Sequence, residues 1–418
     1  MSASDRPRGR ALHYGWIILA VGTLVVMGSI GLARFGYTMI LPPMQAALGL
    51  SNTQTGAVAT GNFVGYLALG VIGGFVASRY GPRRVIAVSM LLTGVTMVLT
   101  GRVNGFAGAL VWRTLTGVGS GGSNVPVMSL MPAWFAKRRR GLATGIAVSG
   151  TSLALMAMGP LVPRILARYG EDGWRASWTA LGGFVVLLGL GAWGLLRNRP
   201  AEVGLRPVGL EGEPGEAGSG PASPFDWRRV VRSGPVWRLA LVYTAFGFSY
   251  VIYTTFFAKY LQAEGGYSRE AAGDLWALVG WTSVFCGLIW GTVSDLIGRG
   301  YGLALVCLTQ AASYAIFSLW RDPAGYALST VLFGLTAWSI PGIVAAACGD
   351  YVGARLAPAA LGFLTLFFGL GQVAGPSVAG ALADASGSFV PAFSLAAGVA
   401  LLGAFSSLLL GGPRVEGR

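Results

Sequence analysis

This sequence predicts an all-α membrane protein of twelve spanning helices in two pseudo-symmetric six-helix bundles. Three observations point there: too little charge for a water-facing surface, twelve apolar segments of spanning length, and a repeat that maps one half of the chain onto the other. The 418 residues are 54% hydrophobic and 11% charged, and the mean hydropathy is +0.63. Soluble domains carry about 25% charged residues, so lipid must solvate most of this surface. Gly supplies 66 residues, roughly twice the usual share of about 7%. In a membrane that excess lets helix backbones approach closely.

Apolar segments lie near residues 15–41, 53–77, 85–103, 105–131, 141–163 and 176–196, and again near 236–261, 272–293, 301–320, 325–348, 357–382 and 388–410. Each is long enough to cross a bilayer. The first is too long for the core of a cleaved signal peptide. Between the sets runs 197–235, which contains GLEGEPGEAGSGPASP. Its Gly, Pro and Glu content cannot bury a core, so it reads as a linker. The expected division is therefore 1–196, a cytoplasmic linker 197–235, and 236–418.

The net charge of +14 follows topology rather than a nucleic-acid face. With both termini cytoplasmic, the outer loops hold only Arg102, Arg164, Arg168, Arg175, Lys259, Arg269 and Arg321. Arg34 and Arg113 lie inside spans, and the other basic residues collect on the cytoplasmic side. That pattern predicts a multi-pass plasma-membrane protein, of the bacterial inner-membrane kind. Cys286, Cys307 and Cys348 each sit in an apolar stretch and read as buried thiols. No Cys/His cluster suggests a metal and no phosphate loop suggests ATP, so neither a cofactor nor an enzymatic role is expected.

The two halves are duplicates. GGFVASRYGPRR (73–84) recurs as WGTVSDLIGRG (290–300), with Gly74/Gly291 and Gly81/Gly298 both 217 residues apart. GLARFGYT (31–38) aligns with GFSYVIYT (247–254) at an offset of 216, matching Tyr37 and Thr38. Gly159-Pro160 aligns with Gly375-Pro376 at 216, and WRTLTG (112–117) with STVLFG (329–334) at 217. Internal duplication of this kind is common in transporters.

The first repeated loop resembles the major facilitator signature G-x-x-x-D-R-x-G-R-R, read here as Gly74, Ser78, Arg79, Gly81, Arg83 and Arg84. Its second copy reads Gly291, Asp295, Leu296, Gly298 and Arg299. Each copy keeps one member of the Asp-Arg pair. A narrower pattern, WFAKRRRGLATGIAVSG (134–150) with Tyr14-Gly15-Trp16, is similar to the monocarboxylate transporter and oxalate–formate antiporter families. Arg34 stands where the monocarboxylate carriers place a substrate-pathway lysine. The sequence departs from both families at Gly287 and Ser283, where a span-eight arginine and a carboxylate are expected, so their coupling cannot be carried over.

These resemblances imply a secondary transporter working by alternating access, with the repeated loops as cytoplasmic gating motifs. Asp295 is expected near the start of span five, where Lys137–Arg140 and the helix dipole favour a negative charge. The candidate substrate site comprises Arg34, Tyr37, Arg113, Asn124, Tyr250, Tyr253 and Trp338. A cation in hydrocarbon is costly unless it faces water or a partner, and neither arginine has an evident carboxylate partner. Together they suit a small organic anion such as a monocarboxylate.

Bland alternatives exist: Arg34 could snorkel to headgroups, and Arg113 could bond backbone carbonyls between helices. Arg113, Gly117, Ser120 and Asn124 share a helix face. The stripe Tyr243, Phe246, Tyr250, Tyr253, Phe257 could be packing, as could Trp276, Trp281 and Trp338. Gln372 could touch substrate or a neighbouring helix. A coupled proton would ride on the substrate, since no titratable group lies evidently within a span. The rival readings are an exporter of hydrophobic compounds and a transporter-fold receptor without flux.

Overall fold

The computed structural model describes residues 13–209 and 230–410. The N-terminal arginines 6, 8 and 10, and all but the first residue of the Gly/Pro/Glu-rich segment, lie outside them. Among the described residues the chain forms twelve long helical segments, as the major facilitator-like reading of the sequence expects. They are α1 (Tyr14–Leu48), α2 (Asn52–Tyr80), α3 (Pro82–Thr100), α4 (Phe106–Trp134), α5 (Arg140–Tyr169) and α6 (Gly173–Leu195). The second half supplies α7 (Gly234–Ala263), α8 (Arg269–Ser283 and Cys286–Ile297, bent by 44°), α9 (Arg299–Leu319), α10 (Pro323–Gly353), α11 (Leu356–Ser386) and α12 (Val390–Leu408).

Helix ends follow local chemistry. Ser51 and Gln54 form a capping box at the start of α2, and Ser268 and Asp322 cap α8 and α10. The duplicated loop takes the same turn in both halves: Gly81 has φ 85° and Gly298 φ 95°. Only glycine adopts that conformation without strain. Span one runs further than its prolines suggest, because Pro42 and Pro43 sit inside a helix that continues to Leu48. Its middle, Met27–Phe35, is a π-helix.

Glycines set the packing within each half. A Cβ on Gly117 of α4 would lie 2.0 Å from the Asn62 carbonyl of α2, and one on Gly65 would lie 2.0 Å from the Thr114 carbonyl. In the second half Gly247 and Gly371 bring α7 and α11 together in the same way. Large apolar side chains such as Leu190, Leu402 and Phe405 remain exposed around the outside, as expected where lipid is the solvent.

The halves meet along the face of the bundle opposite the Gly81, Gly298 and Arg138–Arg140 turns. There Gly56 lies against the Pro376 carbonyl and Gly380 against that of Asn52, joining α2 to α11. Gly159 and Gly273 press α5 to α8, and Thr38 Oγ1 of α1 donates to the Thr254 carbonyl of α7 at 2.5 Å. Toward the basic face the contacts lapse. Phe75, Leu142, Leu288 and Leu296 are exposed, and a Cβ at Gly141, Gly145, Gly287 or Gly291 would meet nothing within 4 Å. The molecule is sealed on one face and parted on the other.

One carboxylate completes the seal. Asp384, near the end of α11, accepts from the Asn52 and Thr53 amides at 2.9 and 2.8 Å and from Thr53 Oγ1 at 2.6 Å. It caps α2 across the boundary between the halves, and the helix dipole favours its charge. Asp384→Asn should weaken the seal by about 1 kcal/mol, or about five-fold in the open-to-closed ratio. The measure is the labelling rate of a Thr38→Cys reporter by an impermeant thiol reagent added from the sealed face. An unchanged rate would show that the cap does not hold the seal.

Candidate functional site

The π-helical stretch of α1 carries Arg34 in its last turn, and wide turns of this kind often occur at functional positions. Because α1 continues to Leu48, Arg34 lies fourteen residues from that end, about 21 Å at ~1.5 Å per residue. At 8% exposed, it does not snorkel. Its guanidinium carbon stands 4.8 Å from the Phe63 ring centroid and 4.3 Å from that of Tyr66, both on α2. These aromatic faces offset part of the desolvation, while its Nε and Nη2 have no hydrogen-bond partner.

Arg113 of α4 is 1% exposed. Its Nη1 donates to the Ala33 carbonyl at 2.5 Å, so it grips the backbone of the π-helix next to Arg34. Its guanidinium carbon lies 5.0 Å from the Tyr37 ring centroid and 4.9 Å from that of Trp178. The backbone bond expected of a packing arginine is present, yet Nε remains unpartnered. The ion pairs among the described residues join Arg175 to Asp172, Arg299 to Asp295 and Asp350, and Arg321 to Glu264. Neither site arginine takes part. A small cavity lies between them, bordered by Arg34, Phe35, Tyr37, Asn62, Phe63 and Arg113 on one side and Thr254 on the other.

The remaining candidates divide around this centre. Tyr37 stacks on Arg113 and donates to the Thr55 carbonyl at 3.0 Å. Asn124 reaches the site indirectly, donating at 3.0 Å to the hydroxyl of Tyr66, whose ring underlies Arg34. Tyr250, the repeat mate of Arg34, faces it from α7 and takes a hydrogen bond from Gln372 of α11. Trp338 packs 5.3 Å from Phe35 and 6.3 Å from Tyr250, by ring centroids, with an unpartnered indole N–H.

Tyr253 belongs elsewhere: its hydroxyl meets Ser329 at 3.0 Å and its ring packs among Tyr314, Phe317 and Phe333. The most apolar stretch of α7 is 83% buried, so aromatic spacing alone does not mark one wall. Trp281 is 65% exposed and points away from the core. Phe63, Tyr66 and Asn62 were not anticipated; an amide inside an apolar span was the available signal for Asn62.

The two copies of the repeated loop are asymmetric. Arg83 donates from its backbone to Asn198 at 2.9 Å and from Nε to the Trp193 carbonyl at 2.8 Å, tying the first loop to the end of α6. Ser78 donates to the Phe75 carbonyl at 2.7 Å, and Arg79 lies over Tyr80. In the second copy Arg299 pairs with Asp295 and, at 2.9 Å, with Asp350. Asp295 thus takes Arg299 of its own loop as its partner, rather than Arg138, Arg139 or Arg140 at the start of α5. The reason is geometric, since the halves are parted on that face. Gly74 and Gly291 border open space.

The family described as uncharacterised MFS-type transporter YbfB matches residues 25–408. The chain belongs to that major facilitator family. It is a multi-pass membrane transporter and not an enzyme. It is 26% identical to the probable sulfoacetate transporter SauU of Cupriavidus necator, over 90% of this chain and 89% of that one. It is 25% identical to the hexuronate transporter of Bacillus subtilis, with the same coverage. Monocarboxylate transporter 13 of Bos taurus is 23% identical over 79% of this chain and 74% of its own. Among solved structures, a bacterial homologue of the human lysosomal transporter Spinster, inward-facing and unoccupied, superposes with a TM-score of 0.73 at 18% identity, covering 96% of each chain. That likeness bears on the fold of this family member alone.

Proposed function

We propose that this protein carries a small organic anion, of the carboxylate class, across the bacterial inner membrane by alternately exposing the Arg34–Arg113 site to either side. The observation that carries the reading is the pair of buried guanidiniums with open N–H groups and no carboxylate partner among the described residues. A charge-assisted fork of this kind matches a carboxylate. The relatives described as transporters of sulfoacetate, hexuronate and monocarboxylates support the same class. Residues 1–196 and 236–418 act as the two rocking units and 197–235 as the cytoplasmic linker. With both termini cytoplasmic, the conformation described here is open to the cytoplasm. Any coupled proton travels on the substrate.

The aromatic cluster of Phe35, Trp276, Trp338 and Tyr250 favours a second reading, export of hydrophobic compounds. Counterflow of a labelled carboxylate in proteoliposomes, competed by matched acids and amides, separates them. An anion carrier takes the acids and rejects the amides, because the neutral group leaves a buried cation unpaired. Equal competition that tracks apolar area would favour the exporter. Binding without counterflow would indicate a receptor.

A further inference from the structure

Asn62 is fully buried in α2, with its amide committed on one side only. Its Nδ2 donates to the Arg113 carbonyl at 3.0 Å. A backbone carbonyl only accepts, so the amide cannot be turned round. Its Oδ1 accepts nothing, and the residue borders the same cavity as Arg34 and Arg113.

The unpartnered atoms contributed by these residues are therefore three donors, Arg34 Nε and Nη2 and Arg113 Nε, and one acceptor, Asn62 Oδ1. A carboxylate satisfies the donors. It has no proton for the acceptor, and a buried acceptor left unmet opposes binding. A hydroxyl on a carbon near the carboxylate supplies that proton. In the empty carrier a water could stand in its place.

We propose that Asn62 reads a hydroxyl of the transported anion, which makes the carrier selective for hydroxy-carboxylates over their deoxy counterparts. The proposal rests on the anion reading above and adds a specificity-determining residue to it. Gln372 serves as a control. Its Nε2 bonds the Tyr250 hydroxyl and its Oε1 is also unpartnered, but a hydroxyl both donates and accepts, so nothing fixes that amide's orientation.

The test measures binding to the purified full chain for matched pairs, lactate with propionate and tartrate with succinate, alongside lactamide. The hydroxy acid of at least one pair should bind about tenfold or more tighter, as sites built around a polar substrate group reject analogues lacking it. Asn62→Leu should bring that ratio near one by weakening the hydroxy acid alone, whereas Gln372→Leu should leave the ratio standing. A general packing defect would weaken both members of a pair and keep the ratio, which would overturn the assignment. Should Asn62→Leu fail to fold, the wild-type ratios still decide: ratios near one in every pair overturn the proposal. Acids that bind above lactamide without any hydroxyl preference remove only this proposal. Acids that bind no better than lactamide remove it together with the anion reading.

Discussion

Arg34→Gln should reduce saturable uptake at least about a hundredfold while leaving folded protein in the membrane. Arg34 makes no hydrogen bond with Nε or Nη2, so nothing in the fold depends on that edge of the guanidinium. On the anion reading, a substrate carboxylate does. Losing a buried charge-assisted fork costs about 3 kcal/mol or more, which is a factor above a hundred. Arg34→Lys keeps a point charge but loses the fork and the flat stacking on Phe63 and Tyr66, so it should retain weak transport. Arg113 differs, because its Nη1 holds the Ala33 carbonyl. Arg113→Gln should abolish uptake as well, and Arg113→Lys should rescue less than Arg34→Lys does, since one ammonium must replace both a backbone bond and a sandwich between Tyr37 and Trp178. Initial-rate uptake in proteoliposomes is the measurement. Normal transport by both Gln variants would remove the anion site.

Two glycine substitutions should fail in opposite ways. Gly117→Val drives side-chain atoms into the Asn62 backbone, where the nearest contact of even a Cβ is 2.0 Å. That junction lies within one half, between α2 and α4, and has no second arrangement to relax into, so overpacking should cost well above the usual 1–3 kcal/mol. Folded protein should be lost, as read by gel filtration after extraction. Gly56→Val meets the Pro376 carbonyl at 2.2 Å, an equally severe clash, but on the surface between the halves. Those halves can part there, as they already do on the opposite face. Gly56→Val should therefore fold, lose transport, and rest with the sealed face open, so that the Thr38→Cys reporter labels rapidly from that side. A folded, active Gly56→Val protein would show that α2 and α11 need not close.

Most of the fold was legible because lipid imposes one demand, a long apolar run, and the chain states it twice. The Gly81 and Gly298 turns could be matched by offset alone because both need a positive φ. Arg34 and Arg113 stood out since charge inside an apolar segment has no cheap explanation. Phe63 and Tyr66 did not, as aromatics fill every span and only tertiary packing reveals which ring lies under a cation. The helix of span one runs past the 15–41 apolar segment to Leu48, because prolines that usually interrupt a helix are tolerated within packed spans. Asp295 and Asp384 illustrate another limit. Which loop carboxylate meets the other half depends on which face is closed, and the sequence does not say which face that is.

The placement of both arginines in the first half has an electrical meaning. In a sealed-and-parted molecule the membrane voltage drops mainly across the sealed layer, so the site takes the potential of whichever compartment it opens to. Arg34 and Arg113 need hardly move to cross the field. Each elementary charge that changes sides is worth about 2.3 kcal/mol per 100 mV. On the anion-carrier reading proposed above, an inside-negative membrane would draw the empty, doubly positive site toward the cytoplasm-facing state, and a bound monoanion would halve that pull. Voltage should thus act on the return of the unloaded carrier more than on the loaded step, and with substrate on the outside only, hyperpolarisation should slow turnover by holding the empty carrier in its cytoplasm-facing state.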